Sequence, residues 1–370
     1  MWDTPRESSV QQDAERPIRV RLEHTRYGHW GGHSGYPCFI AHLDPLRFQT
    51  EKHAAADNHD EISPWLRPIA PVLRKVIRRG PMDWYKLSDL NAELVAACQC
   101  LAGRVDLVHF LDGEHSGRLL PRLLTVIGPQ VRTVATFHQP PDLLEDLVDA
   151  NVLGRLDHIV LMSPSQRPYF EGRVADKRIS VIPHGVDTEF FHPTQTENAP
   201  RENATGRLRC VTAGHWLRDW RVFRTVAAEM QTVEFHVITA HDTGAEQLPN
   251  VFRHVDVDDA TLAALYRSAD ILFLPLLDST ANNTLLEGMA SGLATITTDL
   301  PAVRAYLADA EAMLAPVDDA GAALAGLRRL QEDTAVRTRM GASARVRAEQ
   351  LSWPRIAKQY EALFSSLVVR

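Results

Sequence analysis

Short apolar runs separated by helical patterns recur along this chain. Ile18 to Leu22 alternates apolar and charged residues, while Asp106 to Leu111, Thr133 to Phe137, His158 to Met162 and Ile179 to Ile182 read as buried strands. Between them, Leu87 to Leu101 and Gly117 to Ile127 carry helical spacing. A stretch rich in Thr, Asn and Pro, from Pro193 to Gly206, punctuates the middle of the sequence. Beyond it the alternation restarts with Leu208 to Thr212, Glu234 to Ile238, Val251 to Val255, Ile271 to Leu274 and Leu293 to Thr297. Strands alternating with helices predict parallel sheets covered on both faces. Two similar doubly wound α/β halves, joined near residue 190 and facing a cleft, are the simplest account. In such sheets ligands sit beyond the carboxyl ends of the strands, so the loops there are where chemistry is expected.

Composition narrows the classes. The chain has 370 residues, 45% hydrophobic and 24% charged, which is ordinary for a globular protein of about two domains. A formal net charge of -7 argues against a general nucleic-acid binder. Cys38, Cys98, Cys100 and Cys210 lack zinc spacing and read as free thiols of a reducing compartment. The first residues are polar and charged with no apolar signal core, and no run approaches the ~18 apolar residues of a membrane span. A cytoplasmic location is expected. The segment 66–86 stands out, with Arg67, Arg74, Lys75, Arg78, Arg79 and Lys86 against one acid, Asp83. Val72, Leu73, Val76 and Ile77 are expected on one helical side and the basic residues on the other. That pattern fits peripheral docking on anionic lipid at the inner membrane face, recognition of an anionic acceptor, or an amphipathic helix packed on the core.

The sharpest motif is Leu285 to Gly292, set between the apolar run ending at Pro275 and the strand from Leu293. A strand delivers a polar loop, the loop opens a helix, and Gly292 ends it. Free N–H groups and the positive end of the helix dipole near Thr284 and Leu285 suit a phosphate, and Glu287, one turn in, suits a ribose diol. Thr284 and Glu287 also match a capping box, in which they would satisfy only their own helix. His138 directly follows a strand and precedes Pro140 and Pro141, a position suited either to a cleft role or to an ordinary capping contact. Gly31 and Gly32 permit close backbone approach or simply a tight turn. The segment from Gly214 to Arg221 places Arg218 and Arg221 three residues apart, on one face if helical, where two guanidiniums would clamp a diphosphate. Asp219 is the local partner if that face is merely solvated. No metal-ligand spacing, P-loop or Gly-x-Ser-x-Gly element occurs.

Ile182 to Pro193, with its Pro-His-Gly-Val-Asp run, resembles the interdomain segment of retaining family-four glycosyltransferases of the GT-B fold. Leu265 to Pro275 continuing into Leu286 to Gly292, Thr136 to His138, Arg155 to Ser163 and Ser352 to Ala357 resemble further segments of that family. The resemblance implies two Rossmann-like domains. A tail (1–17) precedes an acceptor-binding domain (18–190), a nucleotide-sugar-binding domain (191–352) and a helix (353–370) crossing back to the first domain. It matches Glu287 to the ribose-binding second glutamate of a Glu-x7-Glu signature, and Thr284 and Leu285 to diphosphate-binding amides. It matches His138 to the active-site histidine and Gly31 and Gly32 to the glycine loop beside the phosphates. Two departures stand out. The first glutamate falls at Ser279, with Asp278 one residue off and Asn282 and Asn283 close by. His215 stands where arginine is common, which leaves Arg218 or Arg221 to supply charge.

The reading is a metal-independent retaining glycosyltransferase, using a UDP-, GDP- or ADP-linked sugar as substrate, an acceptor hydroxyl and no cofactor. A nucleotide-sugar epimerase of the same fold and a catalytically silent nucleotide-sugar-binding protein are the alternatives.

Overall fold

A computed structural model describes residues 16–27, 31–128, 130–194 and 206–368. Most of the expected tail, part of the glycine turn (28–30) and most of the Pro193–Gly206 stretch lie outside the described residues. The first half forms one parallel sheet from β1 (Ile18–Arg26), β2 (Phe48–Ala56), β3 (Leu107–Phe110), β4 (Arg132–Phe137), β5 (His158–Leu161) and β6 (Ile179–Val181), in the order β2-β1-β3-β4-β5-β6. The second half forms another from β7 (Arg209–Ala213), β8 (Glu234–Ile238), β9 (Val251–His254), β10 (Ile271–Leu274), β11 (Ala294–Thr298) and β12 (Ala312–Ala315), ordered β12-β11-β10-β7-β8-β9. These are the two doubly wound sheets expected from the alternation.

Central strands are buried on both faces, so they read as continuous apolar runs: every residue of β3, β5 and β10 is buried. Two strands are not among those expected from the sequence. β2 lies at an edge and exposes Gln49 through Lys52, and β12 is a four-residue edge strand. β1 runs further than its apolar start because Arg21 is paired within the sheet, with Glu23 at 2.5 Å and Glu51 at 2.7 Å.

The two halves are tied in two ways. The Trp353–Leu367 helix packs on the first half, where Tyr360 stacks on Phe39 at 4.1 Å and Glu361 accepts the Asp44 N–H at 2.8 Å. Tyr306, from the second half, accepts the His184 N–H at 2.9 Å and donates to the Met162 carbonyl at 2.7 Å. Among the described residues no helix is long and apolar enough to cross a membrane.

Candidate functional site

The second sheet opens the site at the carboxyl ends of β7 and β10. The expected helix runs Asn283–Ala290, and its N-cap is Asn282, whose side chain accepts the Leu285 N–H at 3.2 Å. The capping-box reading of Thr284 and Glu287 is therefore overturned. Thr284 Oγ1 instead donates to the Ala213 carbonyl at the end of β7, 3.1 Å away. Glu287 is buried, and its two carboxylate oxygens accept Ser34 Oγ at 2.6 Å and Tyr266 OH at 2.9 Å. Burial raises its pKa, and the two hydroxyl donors oppose that shift. Ser34 belongs to the first half, so this carboxylate sits where the halves meet.

Arg218 is also buried, and it is not helical. Its Nε and Nη2 donate to the Ala213 carbonyl at 3.0 and 2.8 Å, Nη1 to the Trp216 carbonyl at 2.9 Å, and Nη2 to Thr284 Oγ1 at 3.2 Å. Burial lowers its pKa to about 10, which leaves it cationic at neutral pH. The fixed charge thus lies under the start of the Asn283–Ala290 helix. Gly214 is required here: its φ is 76°, and a Cβ would approach Arg218 Nη2 to 3.0 Å.

The predicted Arg218–Arg221 clamp does not form. The following helix begins at Trp220, capped by Asp219, whose carboxylate accepts the Val222 N–H at 2.9 Å. Arg221 projects from that helix to Asp318, with its Nη2 donating to the Asp318 carbonyl at 3.0 Å. Asp219 serves as the cap and not as an arginine partner. Ser279 is buried, with its N–H donated to Asp278 Oδ1 at 2.7 Å, and burial raises the Asp278 pKa.

The first half contributes a glycine turn and the ends of β3 and β4. Gly32 N–H donates to Asp259 Oδ2 of the second half at 2.7 Å. A Cβ on Gly31 would fall 1.6 Å from the same carboxylate, so the close approach needs glycine. Beside it His33 pairs with Asp187 at 2.7 Å. The backbone N–H groups of His138 and Gln139 both donate to Glu114 Oε1, at 2.5 and 2.8 Å. His138 Nε2 lies 2.5 Å from the Leu111 carbonyl, which accepts only, so Nε2 carries the proton and Nδ1 is the ring's acceptor. Burial lowers the His138 pKa despite Asp112 nearby, keeping the ring neutral. A neutral, oriented imidazole resting on Tyr36 at 4.2 Å can accept a hydrogen bond from a sugar hydroxyl.

Sequence reasoning missed Ser34, Asp259 and Tyr266, and also an aromatic contact across the cleft. Trp216 donates to Gln139 Oε1 at 3.2 Å and meets Trp84 edge-on with ring centroids 6.0 Å apart. It also missed Asp112, which accepts the hydroxyl of Tyr36, and Glu114, which supports His138. A signal was present: Asp112 and Glu114 follow β3 directly at its carboxyl end. Among the described residues no group of three or more His, Cys, Asp or Glu side chains is placed to hold a metal ion.

Known proteins share both sequence and fold. Residues 40–190 match the family described as Glycosyltransferase Family 4, and residues 205–333 match Glycosyl transferases group 1. The chain is 31% identical over 320 residues to the phosphatidyl-myo-inositol mannosyltransferase of Mycolicibacterium smegmatis, covering 79% of this chain and 76% of that protein. Its fold superposes on sucrose-phosphate synthase from Thermosynechococcus elongatus with a TM-score of 0.72 at 16% identity, over 95% of this chain and 99% of that one. Anabaena HepE, solved with UDP and glucose, gives a TM-score of 0.66 at 13% identity, over 94% and 99% of the two chains.

Proposed function

Because the chain belongs to the family-four, group 1 glycosyltransferases of the GT-B fold, which use nucleotide-sugar donors, we propose that it transfers a sugar to an acceptor hydroxyl with retention of configuration. The observation that carries the site assignment is Glu287, a buried carboxylate at the start of the Asn283–Ala290 helix, bonded to Ser34 across the cleft. The second half holds the donor. Amides at the helix start near Thr284 take the diphosphate, the Leu285 amide doing so only by leaving its Asn282 cap, Glu287 takes the ribose, and the donor base is uracil, guanine or adenine. Charge develops on the leaving diphosphate, and the helix N-terminus with Arg218 stabilises it, so no divalent ion is required. His138 orients the sugar through Nδ1, and the departing phosphate takes the acceptor proton on the same face. Ser279, Asn282 and Asn283 line the sugar end of the site.

The first half holds the acceptor, and its 66–86 segment touches an anionic membrane surface. HepE, named with UDP and glucose, and a relative named for mannosyl transfer to phosphatidyl-myo-inositol support the class without fixing the donor. Neither epimerisation nor silent binding is favoured by any contact in the site. The test is to incubate the protein with UDP-, GDP- and ADP-sugars and candidate acceptors, with and without chelator, and read the product anomer by NMR. An inverted product overturns retention. Loss of turnover in chelator overturns metal independence, and epimerised donor without acceptor overturns the transferase assignment.

A further inference from the structure

The carboxyl ends of β7 and β8 carry two histidines that the donor site described above does not use. The strands pair in register with Ala213 opposite Ile238, and Gly214 N–H donates to the Ile238 carbonyl at 3.0 Å. His215 and His241 lie just beyond these ends, both exposed, with rings stacked at 3.6 Å and 26° apart. The pair is one residue from Gly214, against which Arg218 packs, and Arg218 in turn holds Thr284 at the helix start. It therefore borders the place assigned to the diphosphate.

Charge balance gives the pair a task. Arg218 already donates from all three of its nitrogens to protein oxygens, and Arg221 is bound to Asp318. Asp259 and Glu287 bring two carboxylates to the same cleft. A diphosphate arriving there needs a further cation. Two neutral imidazoles stack readily, two imidazoliums repel, and an adjacent anion favours a protonated ring. We infer that the His215–His241 pair is a protonation-dependent cation for the donor diphosphate, taking up one shared proton as the nucleotide sugar binds. This rests on the nucleotide-sugar reading above and adds to it a pH-dependent affinity.

Several charged groups surround the pair. Arg218 lies behind Gly214, and Asp242 follows His241 in the chain. Arg253 donates to the His241 carbonyl at 3.3 Å while lying 3.7 Å from Glu246. Glu287, whose pKa burial raises, is the other group in the cleft that a bound anion would protonate, so the histidine variant assigns the proton. The diphosphate of a nucleotide sugar is esterified at both ends and has no proton to titrate there.

The test is isothermal titration of the whole protein with UDP-, GDP- and ADP-glucose at neutral pH, in two buffers of different ionisation enthalpy. Wild type should show buffer-dependent heat corresponding to uptake approaching one proton. Its affinity should fall by up to about tenfold per pH unit on the alkaline side, the slope of one linked proton. The His215→Asn, His241→Asn double variant should lose the proton uptake, bind more weakly at acid pH and converge with wild type at alkaline pH. Binding without proton uptake in wild type, or equal uptake in the variant, overturns the inference and leaves the nucleotide-sugar reading standing. No heat with any of the three sugars, at acid or alkaline pH, overturns both. Absence of proton uptake in wild type overturns the inference even where the variant folds poorly.

Discussion

Glu287 does two things that separate experimentally: it fixes the junction between the halves and it offers a carboxylate to the donor. Hydrogen bonds to a charged group contribute about 1.5–3 kcal/mol, so Glu287→Ala should weaken nucleotide-sugar binding by roughly 10- to 100-fold. Tyr266→Phe removes only one of its two hydroxyl donors and should change affinity much less. Calorimetric titration of both variants decides, and unchanged affinity in the alanine variant would remove Glu287 from the donor site. His138→Ala should leave donor affinity nearly intact while lowering turnover. Glu114, beneath His138, gives a pH prediction. Its pKa is raised to about 8, first by burial and then by the charge of Asp112, and its Oε2 is buried without a partner. The folded state then binds more protons than the unfolded chain between the ordinary carboxyl range and about pH 8. Its contribution is present below that window and lost as pH rises through it. Glu114→Gln keeps the oxygen that receives the His138 and Gln139 amides, so its Tm should fall less than wild type on going alkaline. A difference of about 2–4 °C per kcal/mol is expected in thermal melts, and parallel Tm–pH curves would refute the raised pKa. The helix start and its carboxylate were legible from local spacing. Ser34 lies 253 residues from Glu287, and no local pattern joins them. The arginine clamp failed for a local reason: it assumed helix at Arg218, but the helix starts two residues later, at Trp220, after the Asp219 cap.

At the scale of elements, the basic segment departs from its expected two-sided pattern in an informative way. Ala70 and Ile77 face inward on the Ala70–Ile77 helix, and Leu73 packs partly against them. Val72 and Val76, expected on the buried side, are 65% and 60% exposed, and Trp65 and Ile69 just before them are 58% and 51% exposed. Val72 and Val76 lie one turn apart on that helix, and Trp65 and Ile69 lie in the 3-10 helix Pro64–Ile69 before it, so apolar side chains face outward among Arg67, Lys75, Arg78 and Arg79. A basic, apolar surface of this kind suits an anionic interface, with each cation contributing about 1 kcal/mol near the charged plane. Vesicles containing an anionic phospholipid should sediment the protein, and neutral vesicles should not. Lys75→Glu with Arg79→Glu should lower the binding at least about tenfold without altering far-UV circular dichroism. Equal partition to both vesicle types would sink the membrane assignment. Legibility followed burial here too. Strands sealed on both faces announced themselves as apolar runs, whereas the edge strand β2 did not, since an edge strand needs no second buried face, and the apolar β12 is only four residues long, too short a run to stand out.

For the whole molecule, the contacts that close the cleft are themselves acidic on the donor side. Ser34 binds Glu287, and the Gly32 amide binds Asp259 at the start of the Asp259–Ser268 helix. The glycine turn thus already holds an anion, a carboxylate supplied by the opposite half. A donor phosphate that uses the same amide must displace Asp259 and does so against its charge. Removing that competitor should help the donor by about the strength of one partly exposed charge interaction, up to roughly 1 kcal/mol or fivefold in affinity. Asp259→Ala should accordingly bind nucleotide sugar more tightly. Its empty form should also open, because one of the two bonds from the glycine turn is gone while Tyr306 and the Trp353–Leu367 helix keep the halves joined. Small-angle scattering of the empty protein should then give a larger radius of gyration than wild type, narrowing again when donor is added. Weaker donor binding in Asp259→Ala would show the opposite arrangement, in which the carboxylate helps to close the cleft around the donor and does not stand in its place.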